Sequence, residues 1–358
     1  MKDRLKEKNS RKSLKVIHSS APIRINDIGG WTDTWFSREG KVLNMAVTPR
    51  IEVQIEVFEI RQKKTERVLV HAKNFGDTFY VDPEKPSFSP HPLLQGAINS
   101  LPVPEEFELE ISINSPVPPG CSTGTSATVC VALLGGLDLL TPYSHSPEEI
   151  ASLAHSVETD KLGLQSGIQD QLCAAHGGIC FINMFSYPKA IVSKLELNPK
   201  VKSDLNKRLC LIYLGTGHIS SALHEEVIAF LEEQGSQFKK IQQLRELACR
   251  AKDCLFEGDL KSFGEIMIQN NECQRSLHPE LICQDADFII SLAKKWGAAG
   301  WKVNGAGGKG GSLTILTSKD DLKRARMIEE IKSLKGKIKH IPISLAASGL
   351  KVSQSGFH

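Results

Sequence analysis

The chain predicts an α+β fold in two domains. Strand-like runs dominate its first half and helical periodicity dominates its middle. The two never settle into the regular alternation of a doubly wound sheet. At 358 residues it is long enough for two cores. The expected joint lies at 198–206, dividing a first domain at 15–200 from a second at 201–358.

The elements follow in order. Residues 16–25 and 42–60 read as strands, and the run Ile51 to Ile60 alternates apolar with polar, so one face is buried. Shorter strands are expected at 68–71, 78–81 and 107–113. Helical patterns follow at 124–140, 147–159 and 168–176, the second opened by Ser146-Pro-Glu-Glu, an N-cap with proline at the first helical position. Strands are expected at 178–183, 191–197 and 209–214, then a mostly helical stretch at 220–297. A strand at 313–316, a helix at 319–334 and a strand at 338–343 complete the order.

Composition excludes several classes. Hydrophobic residues make up 41% and charged residues 24%, a globular balance, and a net charge of +3 is too small to argue for nucleic acid or an anionic membrane. No apolar run reaches transmembrane length, since the best candidate is broken by Gly135, Gly136 and Asp138. The N-terminus lacks an apolar signal core. Residues 1–14 are basic but interrupted by Asp3 and Glu7, and read as a frayed, solvated terminus. Nine scattered cysteines without a Cys-x-x-Cys pair suggest reduced thiols in a cytoplasmic protein, a monomer or homodimer.

Three segments carry candidate chemistry. In the first, Ala21-Pro-Ile-Arg-Ile-Asn-Asp-Ile-Gly-Gly-Trp-Thr-Asp, a strand bearing Arg24 ends in a Gly29-Gly30 turn. Trp31, Thr32 and Asp33 then share one tight loop. A carboxylate, a hydroxyl and a ring suit a polyhydroxylated ligand, while a turn capped by Asp33 explains the same residues. In the second, a proline-rich turn at Pro118 runs through Gly120, Ser122, Gly124, Thr125, Ser126 and Ala127 into an apolar helix. Free N–H groups at a helix N-terminus bind phosphate, and a plain capped helix is the alternative.

The third, Gly305-Ala-Gly-Gly-Lys-Gly-Gly, matches Gly-x-Gly-x-x-Gly in letters only. A strand follows where a dinucleotide site needs a helix, and Lys309 is followed by glycine, against a P-loop. Gly305 and Gly307 read instead as a loop lying close to a ligand or another backbone. Between the second and third segments, Ser166-Gly167 breaks the chain before a helix carrying Gln169 and Asp170. Glu158 closes the preceding helix and is placed to reach the same space. One carboxylate for a metal and one for a hydroxyl is what phosphoryl transfer requires.

These segments, in this order, resemble the GHMP kinases, over most of residues 15–345. Pro118-Pro-Gly-Cys-Ser-Thr-Gly-Thr-Ser-Ala is similar to the family's Pro-x-x-x-Gly-Leu-Gly-Ser-Ser-Ala, with Ser122-Thr123 standing for Gly-Leu and Thr125 for the first serine. Ala21-Pro-Ile-Arg and Gly29-Gly-Trp-Thr-Asp33 resemble fucokinases and heptose-phosphate kinases, as do Gly40-Lys-Val-Leu-Asn-Met-Ala and the run from Glu158 through Gln169-Asp170-Gln171 to Gly177-Gly178. Lys302-Val-Asn-Gly-Ala-Gly-Gly-Lys-Gly-Gly is close to the third motif, with Lys309 as an insert, and His218 stands where relatives tend to carry a basic residue.

The resemblance implies an N-terminal domain like ribosomal protein S5 domain 2, a C-terminal ferredoxin-like domain, and an ATP- and Mg²⁺-dependent sugar or sugar-phosphate 1-kinase of heptose 7-phosphate or fucose type. It implies Asp170 and Arg24 as catalytic residues, Ser126 and Glu158 as Mg²⁺ ligands, and N–H groups from Gly120 to Ala127 around the ATP phosphates. Gly30, Trp31, Thr32, Asp33, Asn44, Gln169, Gly177, Gly305 and Gly307 are implied around the substrate. A sugar and nucleotide sensor without turnover, and a kinase for a non-sugar alcohol, are the alternatives.

Overall fold

The protein is described from a computed structural model that covers residues 12–356 except 62–63, 216–220, 236–237 and 335; side chains of 221–224 are also left aside. The basic N-terminal residues up to 11, and His218, lie outside the described residues.

Two sheets organise the chain. The first has the order β12-β1-β2-β5-β3-β4, with β6 paired to β2 and β7 paired to β6. Its strands are β1 (Lys15–Ile28), β2 (Gly40–Glu59), β3 (Val68–Ala72), β4 (Asp77–Val81), β5 (Phe107–Asn114), β6 (Ile179–Ser186), β7 (Lys189–Lys194) and β12 (Lys351–Gly356). The twenty-residue β2 serves two neighbours: its first part pairs with β6 and its second with β5. The period-2 pattern from Ile51 onward buries Ile51, Val53, Ile55 and Val57 on one face.

Against that face pack α1 (Pro92–Ile98), α2 (Thr125–Asp138), α3 (Pro147–Ser156) and α4 (Gln169–His176). Helix α2 is buried along most of its length, as an almost wholly apolar helix must be. Helix α3 starts on the expected cap, completed as a reciprocal box: Glu149 N–H donates to Ser146 Oγ at 3.2 Å and Ser146 N–H to Glu149 Oε2 at 2.7 Å. It then widens into a π turn at Val157–Lys161, which carries Glu158.

The second sheet has the order β11-β8-β10-β9, all antiparallel, from β8 (Leu209–Tyr213), β9 (Gly300–Val303), β10 (Ser312–Leu316) and β11 (Lys339–Ile341). Helices α6 (Ser221–Gln234), α7 (Lys239–Glu257), α8 (Leu260–Leu277) and α9 (Gln284–Lys295) join β8 to β9, and α10 (Asp321–Ser333) joins β10 to β11. That is the β-α-β-β-α-β succession of ferredoxin-like domains, with extra helices in the first crossover. One core cluster spans both units: Ile25, Leu43 and Met45 of the first sheet share it with Leu244, Ala251, Phe263 and Met267 of α7 and α8.

Several expectations need correction. The stretch expected as a joint is helix α5 (Pro199–Arg208), whose cap Asn198 accepts from the N–H of Lys200. Helix α1 and strand β9 were not expected, because both are short and carry no distinctive period. Strand β12 was missed too. It returns from the second unit to pair antiparallel with β1, so a division at residue 200 assigns one strand of the first sheet to the wrong unit. All nine cysteines are free, and six are buried. No helix among the described residues is long and apolar enough to cross a membrane.

Candidate active site

The first segment owes its shape to an irregularity. The β1–β2 pairing shifts register between Ile25 and Ile28, and Asn26 takes a φ of 57° there. The bulge lets Asp27 leave the sheet and turns the chain into Gly29-Gly30. Asn304, from the third segment, accepts the Asn26 N–H at 2.9 Å, and Thr123, from the second, accepts the Arg24 N–H at 3.0 Å. Ser312 Oγ donates to the Cys121 carbonyl at 2.6 Å. Three segments distant in sequence are thus tied together by one backbone–backbone bond and two bonds between a side chain and a backbone group.

Arg24 is the hub. Its Nε and Nη2 donate to the two carboxylate oxygens of Asp170 at 2.7 and 3.1 Å, and Nη1 donates to the Ser122 carbonyl at 2.6 Å. Nη1 also lies 3.9 Å from Asp27 Oδ1. Burial alone would lower its pKa; the Asp170 and Asp27 charges outweigh that and raise it. Such a two-pronged, charge-assisted pair holds the Asp170 carboxylate in one orientation.

Behind it lies a buried ion pair. Lys302 Nζ donates to Asp27 Oδ1 at 3.1 Å, with both side chains 1% exposed. Burial lowers the Lys302 pKa against the pull of Asp27. Asp27 Oδ1 also accepts the Gly305 N–H at 3.0 Å, which ties the glycine loop to the first segment.

The phosphate-loop candidate alternates in backbone sign. Gly120, Ser122 and Gly124 have φ of 70°, 56° and 68°, while Cys121 and Thr123 do not share the positive region. Alternation of this kind turns successive N–H groups toward one side, as in anion-binding nests. None of the N–H groups from Gly120 to Ala127 finds an acceptor among the described residues. Helix α2 begins at Thr125, and Ser126 is exposed on its first turn. A Cβ on Gly124 would lie 3.1 Å from Asp170 Oδ2, so the loop abuts the catalytic candidate directly.

The loop's departure from the family pattern now has an account. Ser122 occupies a left-handed position, and its side chain points at the third segment: a Cβ on Gly311 would lie 2.6 Å from Ser122 Oγ. Thr123 replaces an apolar residue and is fully buried. Substituting Ser122→Gly relieves the left-handed penalty but adds unfolded-state freedom, so stability should rise by no more than about 1 kcal/mol. A thermal melt measures this, and a clear loss would mean that the Ser122 side chain is a needed spacer.

A cavity of about 180 Å³ opens beside Arg24 and Asp170. Its walls include Trp31, Asp33, Gln169, Gly305 and Ala306, together with Asp27. Asp33 is 2% exposed and accepts the Gln169 N–H at 3.1 Å and its side-chain amide at 3.4 Å. Burial pushes the Asp33 carboxyl up to about 6. A Cβ at Gly167 would sit 2.2 Å from Asp33 Oδ2, so only glycine leaves room for this carboxylate.

Glu158 lies one layer back. It accepts from Ser166 Oγ at 2.5 Å and Gln171 Nε2 at 2.8 Å, and burial pushes it up to about 7. Its charge acts on Cys130, which lies one helical turn beyond Ser126. Tyr187 fixes Ser166 by donating to its carbonyl at 2.9 Å.

Both raised carboxyls have a consequence for stability. The folded chain binds more protons than the unfolded chain from about pH 4 up to about pH 6 for Asp33 and about pH 7 for Glu158. Each therefore lowers stability as pH rises through its window. Relative to wild type, Asp33→Asn should gain on the order of 3 kcal/mol as pH goes from 4 to 7. Urea unfolding across that range tests it, and a pH-independent difference would remove the Asp33 titration.

Some expected substrate residues lie elsewhere. Thr32 is fully buried and holds the turn, donating to the Gly29 carbonyl at 2.7 Å and accepting the Lys41 N–H at 3.0 Å. Asn44 does not line the cavity; it donates to the Gln169 carbonyl at 3.3 Å from behind. Gly177 fits against Ser348 and Gly349, and Gly307 against the Leu281 carbonyl, so both glycines serve chain packing. Gly30 lies under Asp27 Oδ2. Asp27, Asn304 and Lys302 were not expected as site residues. A charged residue inside the first segment's strand-like run was the available sign for Asp27.

Residues 93–178 match the GHMP kinases N terminal domain. The chain is 27% identical over 322 residues to a bifunctional fucokinase/GDP-fucose pyrophosphorylase of Arabidopsis thaliana, covering 85% of this chain and 30% of that protein. It is 24% identical over 237 residues to a D-glycero-alpha-D-manno-heptose 7-phosphate kinase of Campylobacter jejuni, covering 66% of this chain and 68% of that one. A crystal structure of a D-glycero-D-manno-heptose 1-phosphate kinase from Bacteriodes thetaiotaomicron superposes with a TM-score of 0.71 at 20% identity, covering 94% of this chain and 98% of that one. The chain therefore shares the fold of that kinase, and its residues 93–178 are similar to the GHMP kinases N terminal domain.

Proposed function

We propose that the chain is an ATP-dependent sugar kinase acting at the anomeric hydroxyl of a fucose- or heptose-like acceptor. The observation that carries this reading is the contact between the phosphate loop and the Arg24–Asp170 pair at the mouth of a polar cavity. The similarity to a fucokinase and to a heptose 7-phosphate kinase supports the substrate class. The anomeric position rests on the resemblance of Gly29 to Asp33 to those same kinases.

The free N–H groups from Gly120 to Ala127 bind the nucleotide phosphates at the positive end of α2. Among the described residues no cluster of three His, Cys, Asp or Glu side chains could hold a metal by itself. That suits Mg²⁺, which prefers one carboxylate plus substrate phosphates to an all-protein cage. Ser126 and Glu158 would hold it; bound there, Mg²⁺ offsets charge on the phosphates. Asp170 orients the attacking hydroxyl and receives its proton, late in a loose transition state that needs little deprotonation. Arg24 offsets the charge that develops on the transferred group. Asp33 and Gln169 hold sugar hydroxyls, and Trp31 packs on the C–H face.

The decisive experiment is a coupled ADP-release screen over hexoses, deoxyhexoses, heptoses and their phosphates, with NMR locating the new phosphate. No ADP release from any sugar would overturn the reading, and a phosphate away from C1 would correct the position. Ser126→Ala is expected to raise the Mg²⁺ concentration needed for half-maximal rate. An unchanged metal titration would remove Ser126 from the metal site.

A further inference from the structure

Granted that the site is a sugar kinase's, we infer that its acceptor is a neutral sugar, one that carries no phosphate when it enters. A pre-existing phosphate would need cationic donors at the cavity wall, ideally an arginine fork. Among the described residues the cation lining the cavity is Arg24; three of its five N–H donors go to both Asp170 oxygens and the Ser122 carbonyl, and its remaining charge is the one assigned to the phosphoryl group in transfer. The Lys302 ammonium lies behind the wall, 1% exposed and held by Asp27 and the Val303 carbonyl. Lys309 is exposed on the glycine loop and does not line the cavity.

The wall's acidic groups point the same way. Asp27, Asp33 and Asp170 all border the cavity. Asp170 is matched by Arg24 and Asp27 by Lys302, whereas among the described residues Asp33 is met by the amides of Gln169 and its own backbone N–H and by no cation. A dianionic phosphate entering here meets an unmatched carboxylate and no uncommitted cation among the described lining residues. A sugar hydroxyl donates to that same carboxylate. The site thus favours a neutral polyol both by what it offers and by what it repels.

The full-length chain should be assayed for ADP release with fucose, mannose, glucose and free heptoses, each paired with its own 6- or 7-phosphate where one exists. The expected result is a kcat/KM for the best neutral sugar about 100-fold or more above its phosphate ester. Asp33→Asn, with folding checked by its melting curve, should narrow that ratio by about tenfold or more by removing the unmatched charge. Equal or better use of the phosphate ester by the wild type would overturn the inference and leave the sugar-kinase reading standing. So would an unchanged ratio in Asp33→Asn. No ADP release with either member of any pair would instead overturn the sugar-kinase reading itself.

Discussion

Asp170→Asn is expected to lower kcat by about 100-fold or more, with ATP binding largely kept. The substitution conserves size but replaces a double acceptor with one acceptor and one donor. Arg24 Nε and Nη2 now both donate to this carboxylate, and an amide can accept only one of them well. The acceptor hydroxyl would lose the group that orients it and takes its proton. Stability should also fall, because the buried Arg24 guanidinium would keep one bond to the amide oxygen, the Ser122 carbonyl and the more distant Asp27, and would lose its ionic partner. Turnover should therefore be compared at a temperature well below the variant's own melting point, with nucleotide affinity measured separately. Near-normal kcat in a folded Asp170→Asn protein would remove Asp170 from the chemistry.

Lys302→Ala is expected to cost about 3–5 kcal/mol of stability, the largest loss foreseen for any single substitution here. The two partners are 1% exposed, so removing the ammonium leaves the Asp27 carboxylate almost wholly buried without its ionic partner. Arg24 at 3.9 Å is already paired to Asp170 and compensates little. Denaturant unfolding measures the loss. The double substitution Asp27→Asn with Lys302→Met should recover much of it, because no buried charge then lacks a partner. Simple addition of the two single losses would show that the pair is not coupled. Even the stable double variant should turn over slowly, since an amide oxygen holds the Gly305 N–H less firmly than a carboxylate does.

Much of this site was legible locally. The order of proline turn, small hydroxylated residues and apolar helix is enough to place free N–H groups at the start of α2. Asp170 was readable from the Ser166-Gly167 break before its helix. Thr32 and Asn44 misled because a hydroxyl or amide inside a motif looks alike whether it faces a ligand or satisfies a turn. Ser122 looked like an obstacle because its φ of 56° and the room left by Gly311 depend on a segment nearly two hundred residues away.

By itself the sequence determined the two-domain α+β order, the long strand β2, the capped helix α3 and the turn of small residues that opens α2. All of these follow from periodicity, caps and turn residues within a few positions of one another. The tertiary structure alone decided that Asp27 would meet Lys302, that Asn304 would stitch the first segment to the third, and that β12 would come back to β1. It also decided which glycines serve the cavity and which serve packing. These contacts join residues hundreds of positions apart. Their energies come from burying charge and closing backbone hydrogen bonds across the fold, and no local pattern encodes that geometry.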